Sequence, residues 1–322
     1  MAIDEKEFKK KMDEVKSKLK QSVVVPRQLT RKDKIHFRCY PGIGCFTKCC
    51  SGIRINLTPY DIYRLKKRLG MSYHDFLLEY TVPRSIDGTP LPIAVLKMRE
   101  NEERSCPFVT PDGCTVYTDR PVTCRYYPLG MAIMKKHDKK TGQDFFIKIK
   151  EDHCLGHQED KEWTIDEWRA DQESDLYDEM NNDWMEVVLK AKSLGIVEFG
   201  QKSLDLFFMV SANLDMFRDF VFNSNFLSAY ELPPEEVKKI RDDELELLKF
   251  SLKWLRFTMF GEGDFTVRDD ARQQARERQK KAAAAKLKDA EDRARQKLSK
   301  SPEEIMRKLP SEPLLTMSSR AS

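Results

Sequence analysis

The stretch that decides the fold is CYPGIGCFTKCC, residues Cys39–Cys50. It contains four of the chain's eight cysteines, and Cys49 and Cys50 are adjacent. Neighbouring side chains diverge, onto opposite faces in a strand or by about 100° around a helix, so two adjacent thiols are awkward ligands for one small ion. One of the pair could bind an ion while the other faces a second ion or bridges. A polynuclear cluster, with spread-out ligand positions, relaxes this constraint.

The remaining cysteines follow in a turn-rich segment and after a predicted hairpin, and none lies beyond residue 154. The eight candidate metal ligands are Cys39, Cys45, Cys49, Cys50, Cys106, Cys114, Cys124 and Cys154. Soft thiolates at short loop spacing suit Zn(II), Cu(I) or an iron–sulfur cluster. Two tetrahedral zinc sites would use all eight thiolates, whereas one [4Fe–4S] cluster would use four. Inert buried cysteines or disulfides fit less well, because the neighbours include Gly and Pro and nothing indicates secretion.

The composition is that of a soluble protein with a heavily charged surface. The chain has 322 residues, of which 40% are hydrophobic and 34% charged, and its net charge is +4. Both ends are basic and the middle is acidic. No apolar run approaches the roughly 20 residues that span a bilayer, and the N-terminus lacks the apolar core of a secretory signal. We therefore expect a cytoplasmic protein without a membrane span, whose thiols stay reduced or bound to metal.

We expect an α+β fold in four segments. Residues 1–34 should form a basic helical extension, and residues 35–175 a loop-rich cysteine-cluster domain with short helices and a β-hairpin. Residues 176–264 should be mainly helical. Residues 265–322 form a basic, charged tail with good helix formers but no apolar stripe, which predicts a solvated helix or disorder.

Cap and turn signals predict the individual elements. Thr58 and Pro59 open a helix that should end at Gly70. Ser72 and Asp75 suggest the start of the next short helix. The segment IAVLKMR predicts a strand, and MAIMKK with DFFIKIK predicts the hairpin.

Longer patterns predict three further helices, over residues 164 to about 193, 203–222 and 233–261. The first begins with the capping-box sequence Thr-Ile-Asp-Glu. The second is rich in phenylalanine, which indicates core packing rather than a cofactor pocket. Residues 21–38 are expected to be a loop or linker leading to the first cysteine.

The sequence resembles a known family. FRCYPGIGCFTKCC followed by INLTPYDIYRLKKRLG resembles the opening of the YkgJ-type cysteine-cluster proteins, described as zinc- or iron-chelating domains. The similarity continues in SCPFVTPDGCTVYTDRPVTCRYYPLG and in HCLGHQEDKEWTIDEW, and covers roughly residues 35–175. Five residues separate Cys39 from Cys45, where shorter spacing is usual in the family. The flagellin lysine N-methylase is a more distant relative.

The resemblance implies that the cysteines hold an iron–sulfur cluster of the [4Fe–4S] type, or zinc, in a structural or redox role. One alternative is a cluster-supported enzyme similar to a protein lysine methyltransferase. Another is an interaction protein in which the metal only stabilises a small domain and the charged tail binds a protein partner. Nucleic acid is a less favoured partner, because carboxylates are interspersed among the basic residues. No nucleotide-binding loop is present, and no catalytic residue is singled out.

A few other residues have open interpretations. Arg120 and Arg125 either offset an anionic thiolate cluster, or bind an anionic substrate, or pair with carboxylates in packing. Helix capping is a sufficient explanation for Asp61. His157 follows Cys154 by three residues, a spacing that can bind metal, but with eight thiols available a loop histidine is the default.

Overall fold

The computed structural model describes three stretches of the chain, residues 22–134, 143–196 and 198–298. Residues 1–21 of the predicted helical extension and the end of the predicted tail lie outside the described residues. The first half of the described chain forms short strands and helices, and the second half is mainly helical. The α+β class predicted from the sequence is confirmed.

The strands are antiparallel and mostly short. They are β1 (Ser22–Leu29), β2 (Lys34–His36), β3 (Thr81–Ser85), β4 (Pro92–Leu96), β5 (Val109–Thr110), β6 (Gly113–Cys114), β7 (Leu129–Met134), β8 (Gln143–Glu151) and β9 (Glu162–Thr164). One sheet has the order β1-β8-β7, and β2-β9, β3-β4 and β5-β6 form two-stranded pairs. The predicted strand is β4 and the predicted hairpin is β7–β8, whose turn lies outside the described residues.

The helices flank and follow these strands. They are α1 (Pro59–Leu69), α2 (Tyr73–Tyr80), α3 (Val122–Tyr126), α4 (Ile165–Asp171), α5 (Ser174–Ser193), α6 (Gln201–Ala212), α7 (Leu214–Phe222), α8 (Phe226–Ala229), α9 (Pro234–Asp242), α10 (Glu244–Phe260) and α11 (Asp269–Leu298). Three single 3₁₀ turns lie in the cysteine loops, at Lys48–Cys50, Tyr117–Asp119 and Leu155–Gln158.

The expectation of a loop over residues 21–38 is wrong, because β1 pairs with β8 and β2 pairs with β9. The run from Val23 to Val25 consists of β-branched residues, which favour strands. Pro26 has no N–H to donate to the ladder. The register is accordingly irregular between Val25 and Leu29.

The predicted cap at Thr58 and the predicted capping box at Thr164 are confirmed, and Thr58 also forms a capping box. The Thr58 side chain accepts the Asp61 N–H, and the Asp61 carboxylate accepts the Thr58 N–H. Thr164 and Glu167 make the same reciprocal pair at the start of α4. Helix α1 ends as predicted at Gly70, whose φ of 66° is the left-handed conformation that glycine adopts without strain.

Each of the three long predicted helices is interrupted, so their predicted continuity is wrong. Glu173, at φ 53°, separates α4 from α5. The Asn213 side chain accepts the Met216 N–H at 3.1 Å and starts α7. The Asp243 carboxylate accepts the Leu245 N–H at 2.7 Å and starts α10. In two of the three runs, a short polar side chain that caps a helix therefore divides a run whose apolar spacing looked continuous.

Buried apolar side chains form the core of the unit that contains the cysteines, residues 22–226 and 232–265. The cluster beside the three-stranded sheet comprises Leu29, Ile35, Phe37, Leu129, Phe146, Ile165 and Trp168. In the helical part, Phe207 and Phe217 are fully buried, as predicted, and the Phe217 ring lies 5.5 Å from that of Trp254.

A second compact unit contains residues 227–231 and 266–298. Tyr230 and Val267 form an antiparallel bridge, after which α11 begins. Apart from Ala271, the side chains described in α11 are exposed. None of the described helices is both long and apolar enough to cross a membrane.

Candidate metal centre

Backbone hydrogen bonds bring the cysteine loops together in two places. Near the start of the first motif, the Arg38 N–H donates to the Gly156 carbonyl at 3.0 Å, beside Cys154. At its end, the Cys106 N–H donates to the Cys50 carbonyl at 2.8 Å. The two ends of CYPGIGCFTKCC therefore meet different later segments of the chain.

The first thiol set consists of Cys39, Cys45, Cys49 and Cys154. The Leu155 N–H donates to the Cys45 sulfur at 3.2 Å. Desolvation of its thiol raises the pKa of Cys39 to about 11, and the charges of Cys49, Cys45 and Cys154 add to the effect. Burial also raises the pKa of Cys154, and Cys45 and Cys49 again contribute. These four thiols are thus close enough to act on one another electrostatically.

The second thiol set consists of Cys50, Cys106, Cys114 and Cys124. Cys114 lies in β6 opposite Val109 of β5. Burial raises the pKa of Cys124, and the charges of Cys106 and Cys114 raise it further. Burial likewise raises the pKa of Cys106, and the charge of Cys114 adds to this effect. Three thiols of this set come from one stretch, residues 106–124, and Cys50 joins them from a distant part of the chain.

The adjacent pair divides between the two sets. Both residues lie in the 3₁₀ turn Lys48–Cys50. A hydrogen bond with Cys49 is the largest cause of the raised pKa of Cys50, and two thiols of the second set also act on it. The charge of Cys49 acts on two thiols of the first set as well. The two sets are therefore neighbours that adjoin at this pair.

The thiols of each set lie near one another, but they do not converge on a common point. In the stretches that the structure describes, no three His, Cys, Asp or Glu side chains form a ready ion-binding group. Sulfurs instead take hydrogen bonds, as between Cys49 and Cys50 and from Leu155 to Cys45. Binding requires the thiols of a set to turn towards a common point and lose their protons. In number and chemistry each set fits a four-thiolate centre.

Arg125 anchors the loop that precedes it and is only 1% exposed. Its guanidinium donates to the carbonyls of Arg120 at 3.1 Å, Thr118 and Gln172 at 2.7 Å. It also pairs with the Glu173 carboxylate at 3.2 Å. For Arg125 the contacts favour the packing interpretation, because the side chain ties the cysteine loop to the junction between α4 and α5.

Arg120 differs, because it lies beside the second thiol set. It is 8% exposed, and it donates to the Tyr117 carbonyl and the Gln172 side-chain oxygen. Burial lowers its pKa, whereas the charges of Cys124 and Cys114 act to raise it. Its hydrogen bonds are to protein oxygens, as those of Arg125 are, but the charges of two thiols of the second set also act on it. The two arginines of one motif thus have different environments.

Asp61 does more than cap α1. Its fully buried carboxylate accepts the Thr58 N–H and, at 2.8 Å, the Val122 N–H that begins α3. Burial raises the pKa of Asp61 to about 6, although these hydrogen bonds oppose the rise. Because α3 carries Cys124, Asp61 fixes one thiol of the second set. Sequence reasoning found the cap but had no signal for this long-range bond.

Tyr127 contacts the first thiol set. Its buried hydroxyl makes no hydrogen bond to oxygen or nitrogen among the described residues and interacts with the Cys154 sulfur. Burial and this interaction raise the pKa of Tyr127. The His157 ring packs 5.3 Å from that of Phe37, and burial lowers its pKa to about 4, so the imidazole is neutral. His157 thus sits among aromatic rings.

The fold and the donor set define a cysteine-rich metal-binding domain. Residues 38–155 match the family model CxxCxxCC, described as "Putative zinc- or iron-chelating domain". Residues 38–155 therefore match this cysteine-cluster family, which supports the resemblance seen in the sequence. The matched segment contains all eight cysteines. No curated protein and no solved structure matched the chain.

Proposed function

We propose that each thiol set holds one metal ion, so that the chain binds two. The observation that carries the proposal is how the other thiols group around the adjacent pair. Cys49 acts on Cys39 and Cys154, whereas Cys106 and Cys124 act on Cys50. Four thiolates complete the coordination of a closed zinc site. We therefore favour Zn²⁺, and iron bound by the same thiolates is the next candidate, in keeping with the family description.

The same division argues against one [4Fe–4S] cluster as the sole cofactor. Such a cluster takes four thiolates and would leave one whole set unused. It would also bring inorganic sulfide, which a zinc site lacks. Sulfide content therefore separates the two assignments.

The role we propose for the ions is structural. The loops around the cysteines have little regular structure, since β5 and β6 contain only two residues each. Metal binding contributes folding free energy to small domains of this kind. Two ions would fasten the loop 39–50 to the segment at Cys106 and to the turn at Cys154.

Groups around each set can stabilise thiolates. Four thiolates leave a net negative charge on a divalent ion, and Arg120 offsets part of this charge at the second set. At the first set, the Tyr127 hydroxyl and the Leu155 N–H can donate to thiolate sulfurs. We place the protein in the cytoplasm, because a reducing compartment keeps thiols available for metal.

Metal and sulfide analysis of the full chain purified without oxygen tests the proposal. We expect close to two zinc ions per chain, or two iron ions, and no acid-labile sulfide. Protein that holds neither metal at near-stoichiometric levels would overturn the proposal. Stoichiometric sulfide would replace the two-ion assignment with an iron–sulfur cluster.

A further inference from the structure

We propose that the first thiol set is an exchangeable metal site, which passes its ion to an incoming thiol by way of Cys39, while the second set retains its ion. This inference rests on the proposed function and concerns how the two sets differ in access.

The second thiol set contains no exposed cysteine. Cys106 is buried, and Cys50, Cys114 and Cys124 are half-buried. The hairpin that carries Cys114 is closed by the Thr115 N–H, which donates to the Phe108 carbonyl at 2.9 Å. The largely buried Arg120 lies against the same set. Because no cysteine of this set is exposed, local opening of the loop would favour access of an incoming ligand to an ion here.

The first thiol set has one open side, at Cys39. Cys39 is exposed, whereas Cys45 of the same set is buried. The neighbouring Arg38, Pro41 and Gly42 are exposed as well. The described residues between β2 and the 3₁₀ turn that ends at Cys50 form neither helix nor strand. Cys39 is therefore the ligand that a molecule from solution reaches first.

The exchange is a substitution of one thiolate for another. The incoming thiol gives up its proton, its sulfur bonds to the ion, the bond from the ion to the Cys39 sulfur breaks, and the Cys39 thiolate takes up a proton. The charge and the oxidation state of the ion are unchanged. Repeating the step at the other three ligands releases the ion to the acceptor.

The acceptor is identified by its thiol chemistry, which a small molecule or a protein could supply. Glutathione represents a small monothiol, and a Cys-x-x-Cys peptide represents a protein acceptor. Either should accelerate release from the first set in proportion to its concentration. The more effective of the two identifies the source of the thiol.

Zinc release from the doubly loaded full chain to a chromophoric chelator tests the inference. We expect two phases of equal amplitude, with rates about tenfold or more apart, which is the effect of a difference of about 1.4 kcal/mol in barrier. The thiols should accelerate only the fast phase. Cys39→Ser should lack the fast phase, and its matched control Cys106→Ser should lack the slow one.

Alkylation of the loaded wild-type chain gives a reading that does not depend on how the variants fold. Mass spectrometry should find Cys39 modified before any thiol of the second set. A single release phase from protein with two ions, or earlier alkylation of the second set, would overturn this inference and leave the proposed function intact. Fewer than two ions at the outset would overturn the proposed function as well.

Discussion

Replacing Arg125 with lysine should strongly destabilise the cysteine domain. The guanidinium donates to the carbonyls of Arg120, Thr118 and Gln172 and to the Tyr177 hydroxyl. Lysine keeps the charge but presents it as a single point, which cannot span these acceptors in the planar fork of arginine. At least two buried acceptors then lose their donor.

Each buried group left without a partner costs about 1–3 kcal/mol. The free energy of unfolding should therefore fall by about 3 kcal/mol or more in Arg125→Lys. The control is Arg54→Lys, since Arg54 also donates to three acceptors but is 44% exposed. Water can replace those bonds, so the control should lose less than about 1 kcal/mol.

Urea unfolding of the two zinc-loaded variants, with zinc content measured in parallel, checks this prediction. Because Arg125 follows Cys124 directly, its variant should also hold zinc less tightly at the second set. If Arg125→Lys were as stable as Arg54→Lys and kept its full zinc content, the anchoring role assigned to Arg125 would be wrong.

Three further predictions concern the surroundings of the thiols. Arg120→Gln should release zinc from the second set roughly tenfold faster than wild type in chelator competition. Arg120→Lys should be closer to wild type, because it keeps the positive charge. Equal release rates for both variants would show that the charge of Arg120 does not retain the zinc. Gly156→Ala should cost about 1–3 kcal/mol in urea unfolding, because its Cβ would lie 2.7 Å from the Arg38 carbonyl oxygen. In the control Gly44→Ala, the new Cβ would meet only a side-chain carbon at 3.4 Å, so the loss of stability should be small. An equal loss of stability in both variants would contradict the steric clash proposed at Gly156. Zinc uptake at pH 7 should release close to four protons per ion, and zinc affinity should fall as the pH falls. The cause is that the raised pKa values of Cys39 and other thiols keep these thiols protonated in the metal-free protein. Release of only one or two protons per ion in a weakly buffered titration would contradict this prediction.

Local chemistry explains which elements could be predicted from the sequence. The capping boxes at Thr58 and Thr164 each depend on residues three positions apart, so the sequence reveals them directly. The division of the long helices was missed although Asn213 and Asp243 are good capping residues, because continuous apolar spacing masked the signal. The strand β1 was missed because its partner β8 lies far along the chain.

The candidate site was predictable in its members but not in its grouping. The adjacency of Cys49 and Cys50 indicated that one simple ion could not use every thiol. Which thiols share a set depends on long-range contacts, such as the bond from Cys106 to Cys50. The different environments of Arg120 and Arg125 likewise arise from tertiary packing, so their alternatives could not be separated from sequence.

The central claim is the division of eight thiols into two independent sets of four, and counting ions in paired cysteine variants tests it most directly. Native mass spectrometry should find two ions on the wild-type chain and one on Cys154→Ser or Cys124→Ser. The double variant within one set, Cys45→Ser with Cys154→Ser, should still hold one ion. The double variant across sets, Cys154→Ser with Cys124→Ser, should hold none. An ion retained across sets, or loss of both ions within one set, would contradict the division.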